Sequence, residues 1–263
     1  MIVDGKQIAA DIYRDLDKEL RSRPVRPSLL VFVCAPTTET KKYLCLKQDR
    51  AMALGIDVMV MEFDKDSNTE DLATAMDKLA SAHEGLILQL PFPPAIDTDF
   101  LLKKVPPAKD VDAINYAGGP EAILPPVVGA IKEIAEHHQV NFAGKKVVVV
   151  GQGRLVGKPA SMWAEAEQAS VTIVDKNTLE SDRILVEADI IISGAGVPGL
   201  ITPDKIKEGA IIFDAGTSEA GGVLKGDADP SCAPKCSLFT PVPGGIGPIT
   251  IAILLKNLVL LTR

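Results

Sequence analysis

The chain is poor in residues that mark several functional classes. Among its 263 residues aromatics make up 4%, tryptophan occurs once, histidine three times and cysteine four times. So little aromatic surface means an aliphatic core, which 46% apolar residues can build. His83, His137 and His138 form no metal-ligand pattern and read as solvated helix ends. Cys34 and Cys45 fall in a predicted strand and helix of the core, and Cys232 and Cys236 make a CxxxC pair with no matching histidine. Reduced thiols are a better reading than disulfide or zinc, so no metal is expected. A basic excess is also missing: 28 Lys and Arg against 35 Asp and Glu leave a net charge of −7. That disfavours nucleic acid or an anionic membrane as partner. The longest apolar runs, such as 147–150 and 249–255, fall far short of the roughly 18 residues needed to span a bilayer. The opening MIVDGKQIAADIYRDL mixes charge with apolar residues and reads as no secretory segment. A cytoplasmic protein is expected, and its length allows one large or two modest domains.

What is present alternates. Residues 5–21 read as an amphipathic helix ending before Pro24 and Pro27, and Ser28–Cys34 (SLLVFVC) as a buried strand. Thr37 or Thr38 caps a helix running to about Leu54, where Gly55 stops it. Strand 56–63, a helix over 69–82 capped by Asn68 or Thr69, and strand 85–90, cut off by Pro91, Pro93 and Pro94, complete a β-α-β-α-β series. That order predicts parallel strands with helices on both faces. A loop-rich stretch from Pro106 to about Pro126 suits a junction between domains, and a connecting helix follows over 127–138. The second series has strands at 146–150, 170–174, 188–193 and 209–214, helices near 155–168 and 178–186, and a strongly apolar last helix over 247–261. The fold class is α/β with two domains.

Several stretches carry chemistry in their spacing. KKVVVVGQGRLVGKPASMW runs a valine strand into Gly151-x-Gly153-x-x-x-Gly157 and then a helix. Gly151 permits a tight turn, Gly153 lets backbone approach a pyrophosphate, and the helix points N–H groups and its positive end at the anion. The pattern is weak alone and gains weight from the flanking strand and helix; a plain glycine turn is the alternative. The next strand ends in Asp175-Lys176. An acid there takes a ribose 2′-hydroxyl and favours NAD, whereas Lys176 with Arg154 can hold a 2′-phosphate and favours NADP. A solvated Asp-Lys pair is a third reading.

Tyr43 and Lys47, four residues apart, share one face of their predicted helix. A partly desolvated lysine has a lowered pKa and can serve as acid and base near neutrality, although such a pair alone is most often a solvated face. Gln89 closes the apolar strand GLILQL, at the end where parallel sheets bind ligands; a strand-end cap is the alternative. Asp110 and Asp112, in KDVDAIN, lie in the junction loop as site candidates or as turn formers. TPVPGGIGPITIA places rigid glycine-rich backbone before a helix, able to lie flat against a planar ligand or to serve as a turn.

Taken in order, these pieces resemble the bifunctional methylenetetrahydrofolate dehydrogenase/cyclohydrolase enzymes. The resemblance is carried by Asp4-Gly5-Lys6-Gln7-Ile8-Ala9, by Thr40, Tyr43 and Lys47, by Gln89-Leu90-Pro91, by Lys109-Asp110-Val111-Asp112, by Val156-Gly157-Lys158-Pro159 and by Pro243-Gly244-Gly245-Ile246-Gly247-Pro248-Ile249-Thr250. It implies an N-terminal α/β catalytic domain, residues 1–120, rejoined by the C-terminal helix 245–263, and a Rossmann-like nucleotide domain, 121–244. It also implies a homodimer formed through the nucleotide domains and a place in one-carbon metabolism and purine biosynthesis. The implied reaction oxidises 5,10-methylenetetrahydrofolate to the 5,10-methenyl form with NADP or NAD, then hydrolyses that form to 10-formyltetrahydrofolate. By the same resemblance Lys47 handles protons, Gln89 sets its protonation state, Tyr43 packs on the folate ring and Asp112 accepts hydrogen bonds from the pterin. Leu88, Leu90, Pro243, Gly244 and Gly247 complete the folate site, and Gly151, Gln152, Gly153, Arg154, Asp175, Lys176 and Thr217 hold the dinucleotide.

The sequence departs from the family at named places. Gln152-Gly153 replaces the usual Arg-Ser, Lys176 replaces the serine that contacts a 2′-phosphate, Ala113 replaces a glycine, and Pro126-Val127-Val128 replaces Cys-Thr-Pro. NADP and NAD therefore both stay open. So do a cyclohydrolase with weakened dehydrogenase activity, a shikimate- or amino-acid-type dehydrogenase of the same layout, and an inactive binding module. Joint retention of Lys47, Gln89 and Asp112 argues against the last.

Overall fold

The structure, a computed structural model, describes residues 1–119, 122–220 and 223–262. Its contacts divide the chain into two compact units. One comprises Asp11–Asn115 and Leu254–Arg263, the other Met1–Ala10 and Tyr116–Ile253. Part of the predicted junction loop, Pro120 and Glu121, lies outside the described residues.

The unit around Asp11–Asn115 is built on three parallel strands, β1 (Ser28–Cys34), β2 (Asp57–Phe63) and β3 (Gly85–Leu88), in the order β2-β1-β3. β1 is buried along nearly its whole length because it lies between the other two, which explains its unbroken apolar run. Helix α1 (Gly5–Arg21) precedes it, and α2 (Thr38–Ala53) and α3 (Thr69–Leu79) form the crossovers. Both crossover helices start at polar caps. Thr37 accepts from the Thr40 amide, and Asn68 and Asp71 form a reciprocal capping box. Gly55, at φ +67°, ends the α2 region in the left-handed conformation that glycine adopts without strain. The core gathers Leu30, Phe32, Leu72, Met76, Leu86 and Leu101.

The structure adds one helix and changes two expectations. Helix α4 (Thr98–Lys104) forms in a stretch for which the sequence suggests no element. Asp97 caps it by accepting from the Phe100 amide at 2.9 Å, and Leu101 and Leu102 are buried. Seven residues are too few to show a helical period. Strand 85–90 is shorter than expected, since β3 ends at Leu88, although the Gln89 amide still donates to the Phe32 carbonyl at 2.8 Å. Cys45 is exposed on α2 rather than in the core, and all four cysteines are free.

The second unit holds a five-stranded parallel sheet of β4 (Lys146–Val150), β5 (Ser170–Val174), β6 (Ile190–Ser193), β7 (Ile211–Asp214) and β10 (Leu238–Phe239). Their order is β10-β7-β6-β4-β5. α5 (Pro126–His137) leads in, and α6 (Gly157–Ala166) and α7 (Ser181–Glu187) connect the first three strands. A small antiparallel hairpin, β8 (Ser218–Ala220) with β9 (Val223–Lys225), and the two-residue β10 give no sequence signal because each is too short to display alternation. Residues 1–10, expected with the first half of the chain, group with this unit. Val3 N–H donates to the Phe239 carbonyl, and Gly5 N–H to the Gly244 carbonyl, both at 2.9 Å. Helix α8 (Ile246–Leu261) contributes its residues to Ile253 here and those from Leu254 to the other unit. His138, expected in solvent, is half-buried, and its Nε2 finds no hydrogen-bond partner among the described residues.

Candidate active site

The order β2-β1-β3 means that the chain leaves β1 to one side and returns on the other. Segments leaving the carboxyl ends of β1 and β3 thus part company and open a crevice, the usual ligand position in parallel α/β sheets. β1 leads into α2, which carries Tyr43 and Lys47 one turn apart, and β3 leads directly to Gln89. Lys47 is only 4% exposed. Its ammonium lies 5.0 Å from the centre of the Tyr43 ring and donates to Gln89 Oε1 at 2.9 Å. The Gln89 amide nitrogen donates to the Leu90 carbonyl at 3.2 Å, which turns its oxygen toward the lysine. Leu88 is buried, and Leu90 half-buried, on either side. The structure thus brings Lys47 up to both Gln89 and the Tyr43 ring.

Asp112 joins them electrostatically. Burial pushes the Lys47 ammonium below the ordinary lysine range, and the Asp112 carboxylate pulls the other way. Burial likewise pushes Asp112 up, with Lys47 opposing. Tyr43 is raised by burial and then by Asp112, so it stays a neutral phenol.

The loop that presents Asp112 is tied on three sides. Asp110 accepts from the Ile114 amide at 3.1 Å and the Asn115 amide at 3.4 Å. Lys109 donates to the Ala80 and His83 carbonyls. Asn257, buried in the otherwise apolar α8, donates to the Val111 carbonyl at 2.9 Å. Ala113 sits at φ +46°, where the family's glycine would be free of strain. Asp110 and Asn257 therefore have positioning roles. From sequence Asp110 reads as a site candidate or a turn former, and Asn257 gives no signal.

The other unit holds the glycine-rich turn. β4 runs into Gly151 at φ +89°, and α6 begins at Gly157. A Cβ on Gly157 would stand 1.9 Å from the Gly151 carbonyl oxygen, so only glycine lets the helix start this close. A Cβ on Gly153 would meet nothing within 4 Å. Open space at Gly153, before a ten-residue helix, fits a dinucleotide pyrophosphate. Gln152 turns its amide back onto the Gly151 carbonyl at 3.0 Å. The Asp175 carboxylate is engaged in its own turn, accepting from the Asn177 amide at 2.8 Å and the Thr178 hydroxyl at 3.1 Å. Arg154, Lys176 and Thr217 are exposed.

Pro243, Gly244 and Gly247 also belong to this unit. Gly244 has φ +109°, Gly247 borders open space, and Pro243 follows a cis peptide. A Cβ on Gly5 would stand 1.8 Å from the Gly245 carbonyl oxygen. The opening Asp4-Gly5 is thus a fitted support for the proline-glycine segment, with Asp4 capping α1 through the Lys6 and Gln7 amides.

Two buried carboxylates have no role assigned from the sequence. Asp214 closes β7 and accepts from the Gly216, Asp227 and Ala228 amides at 2.8–3.2 Å. Asp227 accepts from the Ser193 hydroxyl and the Ala195 and Val197 amides at 2.6–2.7 Å. Burial raises Asp214 to about 6, with backbone donors opposing and Asp227 adding to the rise.

Comparison with known proteins bears on all of this. The model of the tetrahydrofolate dehydrogenase/cyclohydrolase catalytic domain matches residues 3–112, and that of the NAD(P)-binding domain matches residues 125–263. The chain is 35% identical to the bifunctional protein FolD of Mycoplasmopsis synoviae, with 98% of each covered. It superposes on the bifunctional FolD methylenetetrahydrofolate dehydrogenase/cyclohydrolase of Campylobacter jejuni with TM-score 0.94 and 28% identity, covering 99% of this chain and 98% of that one. The methylenetetrahydrofolate dehydrogenase-cyclohydrolase of Trypanosoma brucei, complexed with NADP and an inhibitor, matches with TM-score 0.92 and 31% identity, covering 99% of this chain and 96% of that one.

Proposed function

The chain belongs to the tetrahydrofolate dehydrogenase/cyclohydrolase family, and from that premise we propose how its own residues divide the work. It oxidises 5,10-methylenetetrahydrofolate to the 5,10-methenyl form and hydrolyses that form to 10-formyltetrahydrofolate, in one-carbon metabolism. Family membership sets aside the shikimate-type alternative. NADP is the dinucleotide and supplies the hydride acceptor. Gly151, Gln152, Gly153 and Thr217 lie along it, and Arg154 and Lys176 meet its 2′-phosphate. Support for NADP over NAD comes from Asp175, whose carboxylate is taken up by its own turn while Lys176 is left exposed.

The observation that carries the hydrolytic half is Lys47, buried and hydrogen-bonded to Gln89 beside Asp112. Its lowered pKa makes the neutral amine accessible nearer neutrality. As water adds to the electrophilic methenyl carbon, Lys47 takes one of its protons. It returns that proton to the departing ring nitrogen as the carbon–nitrogen bond breaks, and the hydroxyl proton of the adduct is released to solvent. Gln89 holds the amine in place through its carbonyl oxygen, Tyr43 stacks on the folate ring, and Asp112 accepts N–H bonds from the pterin. Leu88 and Leu90 shape the folate site.

The active form is a cytoplasmic homodimer joined through the nucleotide-binding units. In support, β5 is an edge strand of its sheet and leaves Ile173 44% exposed. Among the described residues no helix is long and apolar enough to cross a membrane.

The test supplies methylenetetrahydrofolate with NADP or NAD in separate assays and follows reduced dinucleotide and methenyl-folate by absorbance. NADP is reduced faster, and the methenyl band then decays faster than it does without enzyme. No reduction of either dinucleotide overturns the dehydrogenase, and spontaneous-rate decay overturns the cyclohydrolase.

A further inference from the structure

Burying a carboxylate is costly unless hydrogen bonds replace its water. Yet this aliphatic sheet buries two, Asp214 at 1% and Asp227 at 0% exposure, with Ser193 and Thr240 also at 0%. All four cluster at one place, the carboxyl ends of the strands. Ser193 ends β6, Asp214 ends β7 as its cross-strand neighbour, and Thr240 follows β10. The Thr240 hydroxyl accepts from the Asp214 amide at 2.7 Å. Asp214 in turn holds the amides of Asp227 and Ala228. Thus anchored, Asp227 reaches across to the segment leaving β6 and takes the Ala195 and Val197 amides, each at 2.7 Å.

That segment has a particular neighbour. With the order β5-β4-β6, the chain leaves β4 to one side and returns on the other, so the crevice opens between the segments after β4 and β6. The 151–157 turn and the 194–197 loop are its two walls, and they touch. A Cβ on Gly151 would lie 3.1 Å from the Gly194 carbonyl oxygen and 3.2 Å from Ala195 Cα, and one on Gly194 would strike Val156 at 2.5 Å. With the two walls packed this closely, displacement of the loop shifts the turn. The space around Asp227 is equally tight: a Cβ on Gly216 would fall 2.1 Å from its carboxyl carbon.

We propose that Asp227 is a positioning residue for the dinucleotide: its carboxylate fixes the 194–197 loop against which the 151–157 turn is seated. The inference rests on the reading of that turn as the NADP site. Because peptide units are planar and trans, drawing the Ala195 and Val197 N–H groups inward turns the Gly194 and Gly196 carbonyls outward. Asp227 thereby sets the wall's shape without touching the ligand. Its effect belongs to the dehydrogenase, since water addition to methenyl-folate needs no dinucleotide.

The two activities of one protein make the experiment. NADP reduction, NADP binding by fluorescence and hydrolysis of supplied methenyl-folate are measured for wild type, Asp227→Asn and Ser193→Ala, with melting curves. In Asp227→Asn one acceptor oxygen becomes a donor facing N–H groups. Its KM and Kd for NADP rise roughly tenfold or more, while hydrolysis stays within about twofold of wild type. Ser193→Ala, which removes one donor, raises the NADP KM by roughly threefold with hydrolysis unchanged. Unaltered NADP KM and Kd in folded Asp227→Asn overturn the proposal, as does parallel loss of both activities. Should Asp227→Asn fail to fold, unaltered NADP binding in Ser193→Ala overturns it instead. A wild type that binds no dinucleotide overturns the underlying functional reading, a result separable from any difference among variants.

Discussion

The two sheets repeat one topology, a strand whose two successors lie on opposite sides of it, and each unit buries a charged side chain near where the strands part. The charges are opposite in sign and differently satisfied. In the smaller sheet's crevice Lys47 donates to the neutral Gln89 oxygen and feels Asp112 without full compensation, so burial lowers its pKa. In the larger sheet Asp227 accepts three short hydrogen bonds, two of them from backbone. A buried charge short of partners is poised to change protonation, which suits proton transfer. One supplied with donors is fixed and holds the backbone that donates. On the proposed roles, the same crevice geometry serves chemistry in one place and positioning in the other.

The largest effect expected from breaking this contrast is at Lys47. Lys47→Met removes the proton carrier and slows hydrolysis of methenyl-folate by roughly 10²–10⁴-fold, while folate still binds in equilibrium titrations. Normal hydrolysis by this variant would remove Lys47 from the mechanism. Asp112→Asn comes next. Loss of its charge weakens folate binding by roughly 10-fold or more and leaves Lys47 without the group that raises its pKa. The pH profile of hydrolysis therefore moves to lower pH. A profile moving to higher pH, or an unchanged folate KM, would contradict the role given to Asp112.

How much of this contrast was legible beforehand depended on whether a signal was local. The valine run of β4, the Thr37 and Asn68 caps and the Gly55 stop are written in consecutive residues, and those elements formed close to where they were expected. α4, β8, β9 and β10 are each at most seven residues long, too short for a period to emerge. Lys47 sits in TETKKYLCLKQDRAMA, which has no distinct apolar face, so local sequence favours a solvated side chain and only tertiary packing buries it. The role proposed for it rests on the resemblance to the family, together with Gln89 and Asp112. Asp227 stands in GDADP, a polar stretch with no local sign that its carboxylate is buried. Its partners lie 30–34 residues earlier, a pairing that emerges only once β6 and β7 are neighbours.

A smaller effect sharpens the nucleotide side. Lys176 is exposed, so its interaction with a 2′-phosphate is screened by solvent. Lys176→Ser raises the NADP KM by about fivefold and leaves the NAD KM unchanged. An unaltered ratio of NADP to NAD efficiency would mean that Lys176 does not read the phosphate.

The smallest effect concerns stability and runs in opposite directions at the two crevices. A lysine whose folded pKa is depressed binds fewer protons in the native than in the unfolded state over the interval between its two pKa values. Stability therefore rises with pH through that interval, and the cost of burying the ammonium is fully present below it. At pH 7 Lys47→Met relieves that cost, and its melting temperature rises. The gain shrinks as pH increases toward the ordinary lysine range, because giving up the proton on folding then costs less. Asp227→Asn, which gives up satisfied hydrogen bonds, melts lower than wild type. Calorimetry at pH 7 and at pH 9.5 separates the cases. A Lys47→Met protein that melts below wild type at pH 7 would show that the buried lysine stabilises its crevice as Asp227 does, and the distinction between a poised charge and a fixed one would fall.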